Sequence, residues 1–526
     1  MPAVPPAVST FGETWCRAVS EHGDRPFLVF RADDGTTTSW TYAEFDDVVA
    51  RVAGTLRARG VVPGTSVHLV LRSCPAFVAL WLAVARLGAW MVPVDPASAA
   101  RDVAGQVRRV QPVLGVAAAS RLGVYTEGAD GTPVVALAED ATDLAPGAPL
   151  VSEAEPVVAA YPASPEHRLA VMFTSGTTSE PKGVVLTQAC YATVAAAMAA
   201  AVDLRPEHRW YVTLPMFHAN AQYYCFAPAV QVGASVAMTA SFSASGWVSG
   251  ARDLEVTHAS LFAAPVRMIL ARCPEDEEPL ALQHVWYAQS LGAEHHRRFG
   301  ALAGTLPRQL YGMTETVAVV TADRNDPPVH DLIGPPVPGR RVRLVDAAGG
   351  IVTQAGVPGE LQVGGERGRD LFAGYLDAPE INARAFEPVE PSEPTPGGDE
   401  RRVWFRTGDL AAWEPGVDSL RFVGRVDDVI KVAGENVSLT EVEAALAQAP
   451  GVLEVAVVAQ PDPVRDQVPV AYVVAKDRAA PPATADLEAY AVSVLAPAAR
   501  PRAWHLIDEL PRTGVGKVRR FRVGSA

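Results

Sequence analysis

The chain has 526 residues, of which 49% are apolar and 20% charged, the balance of a globular protein with a large core. At this length about two to four domains are expected. A net charge of −14 without a basic block argues against a nucleic-acid or anionic-membrane partner, and five scattered cysteines (Cys16, Cys74, Cys190, Cys225, Cys273) without a CxxC argue for a reducing, cytoplasmic setting and no structural zinc.

The opening MPAVPPAVSTFGETW has no basic segment ahead of an apolar run, so no signal peptide is expected. Residues 26–100 predict a β-hairpin, helix, strand, helix and strand. Thr41 suits a helix start, and Phe45, Val48, Val49, Val52 and Leu56 recur at helical spacing over 41–60. Strands are expected over 66–71 and 90–94, with a helix over 76–86. The apolar run 76–93 carries Arg86 and reads as a buried helix entering a strand, not a membrane span. Such alternation predicts a doubly wound α/β layer. It continues weakly through 101–170. A strand–turn–strand unit at 171–187 is followed by a helix over 187–201 and strands over 210–214, 232–238, 259–263 and 284–288. The first part therefore predicts two α/β subdomains.

From about residue 330, β-like runs over 341–345, 360–363, 403–406 and 420–423 between Gly and Pro turns predict a small β subdomain. Residues 387–400, EPVEPSEPTPGGDE, read as a solvated insertion. Past a boundary at 424–428, strands over 429–432, 452–459, 468–475 and 503–507 and helices over 440–448 and 485–494 predict a compact α+β tail.

Chemistry concentrates in a few stretches. In VMFTSGTTSEPKGVVLT (171–187), Gly176 and Gly183 let backbone approach a ligand. Thr174, Ser175, Thr177, Thr178 and Ser179 add hydroxyls, and Lys182 adds a mobile charge. A phosphate chain suits this loop, although Pro181 and Gly183 flank the lysine where the P-loop needs Gly and Ser/Thr. On composition alone a polar surface turn fits equally well. The chain has only four lysines (Lys182, Lys431, Lys476, Lys517), leaving 41 arginines among its 45 basic residues. Three of the four fall in motif-like stretches, and an ammonium fits between oxygens where a guanidinium does not.

Tyr311, Thr314 and Glu315 in YGMTET offer an aromatic face, a hydroxyl and a carboxylate, suited to a base, a phosphate and Mg²⁺, or simply to a capped helix start. Asp409 in RTGDL could accept from two ribose hydroxyls, yet TGD is also a common turn. GRVDD at 424–428 could be a charged turn, and PRTGVGK at 511–517 a basic tail or a loop presenting Lys517.

Together, TSGTTSEPKG, YGMTET, RTGD and GRVDDVIKVAGENVSLTEVE resemble, in order and spacing, the adenylate-forming superfamily of acyl-CoA synthetases, nonribosomal peptide adenylation domains and luciferases. The resemblance covers residues 26–520. It implies an α/β fold: an N-terminal domain (1–424) of two α/β subdomains plus a β-barrel, a hinge (425–428), and a small mobile α+β C-terminal domain (429–526). It implies activation of a carboxylic acid by ATP and Mg²⁺ to an acyl-adenylate, then transfer to a thiol, CoA ahead of a carrier protein or a non-thiol acceptor.

By motif, Thr174, Ser175, Gly176, Thr177, Thr178 and Lys182 would hold the β- and γ-phosphates. Tyr311 would stack on adenine, with Gly312 also at the nucleotide, while Thr314 would bond the α-phosphate, Glu315 coordinate Mg²⁺ and Asp409 bind the ribose, with Arg425 nearby. Lys517 would bridge the acid and the α-phosphate, Asp427 would be the hinge, and Gly434 would face the thiol tunnel. His218, in LPMFHANAQ, matches an acyl-pocket position beside the candidates Asn220, Gln222, Met313 and Val317. Amino-acid-activating relatives carry an Asp here; Phe217, His218, Ala219 and Asn220 include none. HANAQYY and YAQSLGAEHHRRFG look closest to the carnitine and medium-chain acyl-CoA ligase branch. Ser179, Gln188 and the run Ser290-Leu291-Gly292-Ala293 depart from the family pattern, the last where adenine contacts are expected.

Overall fold

The computed structural model describes residues 9–152, 154–174, 181–274, 276–389, 401–433, 435–512 and 518–524. A seven-stranded sheet runs Gly374–Tyr375, Lys182–Thr187, Arg168–Thr174, Trp90–Val94, Ser66–Val70, Leu114–Ala118, Val134–Leu137. From Arg168–Thr174 onward its strands are parallel. An eight-stranded sheet runs Thr321–Ala322, Arg308–Tyr311, His284–Ala288, His258–Phe262, Arg209–Val212, Ser235–Thr239, Pro26–Arg31, Thr37–Thr41. It is parallel except at its two edges. These are the two expected α/β units.

One helix joins their cores. Pro75–Leu87 is buried at every position, Pro75 opens it and Gly88 ends it in the left-handed conformation. Apolar all round, it is a core helix. Its Arg86 is only 3% exposed and pairs with Asp46, while donating to the Val157 carbonyl at 3.2 Å. Among the described residues no helix is long and apolar enough to cross a membrane. Thr41 caps Tyr42–Ala58 reciprocally with Glu44, as its composition predicts.

The expected strand at 232–238 starts late. Residues Ala227–Val232 are helical, Gly233 takes φ +74° where a Cβ would strike His22, and the strand is Ser235–Thr239. Just before that helix, Asn220–Phe226 forms a buried π-helix that local pattern does not signal. Such turns are rare and recur at functional sites.

The β subdomain is a five-stranded antiparallel sheet bent around Arg402–Trp413. The start of that strand pairs with Phe386–Pro388 and its end with Leu420–Arg425, so its two halves have different neighbours. After the 3-10 turn Val426–Asp428, Val429–Val432 begins a second five-stranded sheet, covered by helices Leu439–Leu446 and Thr484–Val494 with a separate core. Arg520 binds both Asp428 and Glu443, tying the turn to the first of these helices.

One buried feature predicts a pH response. His258 is 1% exposed, with the rings of His208, Trp210 and His284 around it and Thr257 Oγ1 2.8 Å from its Nδ1. Burial, with His208 second, lowers its pKa to about 3. The unfolded histidine takes up a proton below about 6.5 and the folded one does not, so this stability is full above that pH and declines toward pH 3. At pH 5 the loss is about 2 kcal/mol. His258→Asn is expected to flatten the fall in urea midpoint between pH 7 and pH 5; an unchanged slope would refute it.

Candidate functional site

The segment after strand Arg308–Tyr311 turns tightly through Thr314–Thr316, all buried. Val317 follows at φ +64°, an expensive conformation for a β-branched residue. Arg340 holds the turn. Its guanidinium donates to the carbonyls of Thr316, Ala318, Val319 and Asp370, and its side chain is 5% exposed. Phe372 N donates to the Glu315 carbonyl at 2.9 Å, so the backbone on both sides of this carboxylate is fixed.

Asp409 lies opposite Arg425 on paired strands, with Arg425 Nη1 3.1 Å from its Oδ1. Tyr311 OH donates to Asp409 Oδ2 at 2.6 Å. Burial first, then Asp409, raises the Tyr311 pKa, so the phenol keeps the proton it donates. Asp409 N in turn donates to Thr407 Oγ1, which donates to the Leu361 carbonyl. The Tyr311 ring stacks near Phe422, centroids 6.2 Å apart. Three residues separated by up to 114 positions thus form one assembly.

Lys182 faces Thr174 across the hairpin, and its Nζ lies 5.3 Å from the centre of the Tyr375 ring. Tyr375 OH donates to Glu315 Oε1 at 3.1 Å. Arg109 donates to the carbonyls of Pro181 at 2.8 Å and Leu376 at 2.9 Å, tying the start of strand Lys182–Thr187 to the Tyr375 segment. None of Arg109, Arg340 and Tyr375 stands out in the sequence.

On the acyl side, His218 Nδ1 accepts from Asn220 N at 3.3 Å, and its ring meets Phe262 edge-on at 6.0 Å. Asn220 Nδ2 donates to Ser260 Oγ at 3.0 Å. Gln222, the third pocket candidate on this segment, is engaged on both sides of its amide. It is fully buried, accepts from Tyr191 OH at 2.6 Å and donates to the Met216 carbonyl at 2.7 Å, so its amide braces the π-helix. Met313 is half-buried, Val317 is fully buried, and a Cβ on Gly312 would lie 2.7 Å from Tyr224 OH.

The divergent loop at 290–293 is organised by Asp331, which accepts from Ser290 Oγ at 2.9 Å and Leu291 N at 3.0 Å. Burial opposes its charge, yet His330 and these donors hold its pKa below the usual carboxylate range. The C-terminal region reaches this loop: a Cβ on Gly292 would lie 2.2 Å from Gln448 Nε2. Asp427 sits in the turn between the two regions. Ser175, Gly176, Thr177, Thr178, Gly434 and Lys517 lie outside the described residues.

A family model for "AMP-binding enzyme" matches residues 15–376, and one for "AMP-binding enzyme C-terminal domain" matches 441–517. The chain is 35% identical to a sulfoacetate–CoA ligase of Cupriavidus necator over 415 residues, 77% of this chain and 75% of that one. It is 27% identical to a crotonobetaine/carnitine–CoA ligase of Salmonella paratyphi A, covering 96% and 97%. In fold it is similar to the anthranilate CoA ligase AuaEII in complex with anthranoyl-AMP, with a TM-score of 0.86, 22% identity, and 98% and 97% of the chains covered.

Proposed function

The chain belongs to the AMP-binding enzyme family, and from that premise we propose that it uses ATP to join a small carboxylic acid to CoA through an acyl-adenylate. The observation that carries this reading is that one buried tyrosine, Tyr375, joins Lys182 to Glu315, while a second, Tyr311, ties Asp409 to the strand that leads into the Glu315 turn. In the first half-reaction a carboxylate oxygen of the acid attacks the α-phosphorus, the bond to the β-phosphate oxygen breaks, and pyrophosphate leaves. In the second, the CoA sulfur attacks the acyl carbon, a C–S bond forms, the acyl C–O bond to the phosphate breaks, AMP leaves, and the thiol proton passes to solvent.

Catalysis here means neutralising oxyanions and aligning the acid. Lys182 and residues 174–178 hold the departing pyrophosphate, and Thr314 donates to the α-phosphate. Tyr311 and Gly312 face adenine, while Asp409, oriented by Arg425, accepts from the ribose hydroxyls. Lys517 sets a compact ammonium between acid and α-phosphate. Residues 425–428 act as the hinge with Asp427 as pivot, exchanging Lys517 for the Gly434 region at the thiol's approach.

Glu315 suits Mg²⁺, a cation held by one or two carboxylates plus substrate phosphates. Among the described residues, no cluster of three or more His, Cys, Asp or Glu offers an all-protein cage instead. When bound, the ion offsets the charge of the phosphate oxygens.

His218, Met313, Val317 and the Asn220 amide shape the acyl pocket. That mixed lining, with relatives named for carnitine and sulfoacetate, supports a small polar acid over a long fatty chain. The test incubates pure protein with ATP and a panel of small polar, aromatic and medium-chain acids. Acid-dependent pyrophosphate exchange is expected without CoA, and acyl-CoA once CoA is added. Adenylate without thioester would move the acceptor to a carrier protein, and no exchange with any acid would overturn adenylation.

A further inference from the structure

Tyr375 touches both charges that the proposed reaction needs around pyrophosphate, and none of the motifs contains it. It lies on the short strand Gly374–Tyr375, paired with Lys182–Thr187 so that Tyr375 faces Val184, two residues from Lys182. Its backbone is locked from outside: Tyr375 N donates to Asn382 Oδ1 at 2.7 Å, and Asn382 Nδ2 donates back to the Tyr375 carbonyl at 2.9 Å. Phe372 packs edge-on against the ring, centroids 4.7 Å apart. The same Phe372 fixes the Glu315 backbone through its N–H. The ring therefore has one position, with Lys182 Nζ over its face and its hydroxyl donating to Glu315 Oε1.

We propose that Tyr375 is a positioning residue, one rigid phenol that sets the Glu315 carboxylate for Mg²⁺ and steers the Lys182 ammonium toward the same phosphate chain. The proposal rests on the adenylation reading. The hydroxyl hydrogen bond fixes which way the carboxylate presents its oxygens, the task of partners behind metal ligands generally. The π-face attracts the ammonium without neutralising it, so Lys182 stays available to phosphate oxygens. Because one ring holds both groups, losing the hydroxyl disturbs the metal side alone, whereas losing the ring disturbs both sides.

Two variants separate these parts. Mn²⁺ serves as the spectroscopic stand-in for Mg²⁺, and its binding is read by electron paramagnetic resonance with a non-hydrolysable ATP analogue and no acid. In Tyr375→Phe the Mn²⁺ dissociation constant is expected to rise about tenfold, with metal-free analogue binding unchanged. In Tyr375→Leu metal-free analogue binding should weaken as well. Wild-type Mn²⁺ affinity in Tyr375→Phe would overturn the proposal. So would equal weakening of analogue binding with and without metal in that variant, the mark of a merely structural role. Since no acid is present, these outcomes are independent of whether any acid supports pyrophosphate exchange, which alone decides the adenylation reading.

Discussion

Replacing Arg340 by methionine is expected to destabilise the N-terminal domain by about 4 kcal/mol or more, since four carbonyls lose their donor at about 1–3 kcal/mol each. The loss has two sources. Four carbonyls, on Thr316, Ala318, Val319 and Asp370, lose their donor in a place where water reaches poorly. The turn that holds the first three also contains Val317 at φ +64°, a conformation that persists only while its surroundings hold it. Burial lowers the Arg340 pKa, with Asp370 opposing, so the site was built around a guanidinium at some expense. Lysine should rescue little, because one ammonium cannot reach four carbonyls set in a fork. The measurement is the urea midpoint of the first unfolding transition in wild type, Arg340→Met and Arg340→Lys. If Arg340→Met unfolded at the wild-type midpoint, the clamp would be wrong.

That clamp also marks the limit of what the sequence reveals. Tyr311, Asp409 and Arg425 stand out in the sequence only through the motifs that carry the family resemblance, since each short stretch alone also reads as a turn or cap, and the structure brings these three together. Arg340 and Arg109 bind main-chain carbonyls, which every residue possesses, so nothing in residue type points to the partner. Among 41 arginines these two look like any others. Gln222 shows what local spacing leaves out. Four residues after His218 it reads as a pocket amide, but the π-helix turns it into the core, where Tyr191 from helix Gln188–Ala201 satisfies it. The parallel sheets were legible from β-branched and apolar runs between helices, where 90–94 and 284–288 coincide with observed strands, as 341–345 and 429–432 do in the antiparallel sheets. The strand at 232–238 was not, since a left-handed glycine reads the same in a helix cap and in a turn.

In wild-type enzyme, 2′,3′-dideoxy-ATP is expected to react far more slowly than ATP, and Asp409→Ala is expected to abolish that preference. Two hydrogen bonds to a charged acceptor are worth about 1.5–3 kcal/mol each, or about 10²–10⁴ in kcat/KM. Asp409 is suited to supply them because its carboxylate cannot rotate: Tyr311 OH holds Oδ2, Arg425 holds Oδ1, and its own N–H is tied to Thr407. A fixed acceptor aligned with two neighbouring hydroxyls loses little entropy on binding them. The alanine variant should therefore lose about 10²–10⁴ with ATP while changing little with the dideoxy analogue. Reading the ratio within one preparation matters. Partial unfolding, or an Arg425 left without its carboxylate, slows both nucleotides together and cancels. If Asp409→Ala kept the wild-type preference for ATP over the dideoxy analogue, the ribose would be recognised elsewhere, and the Tyr311–Asp409–Arg425 assembly would be a brace for the β subdomain alone.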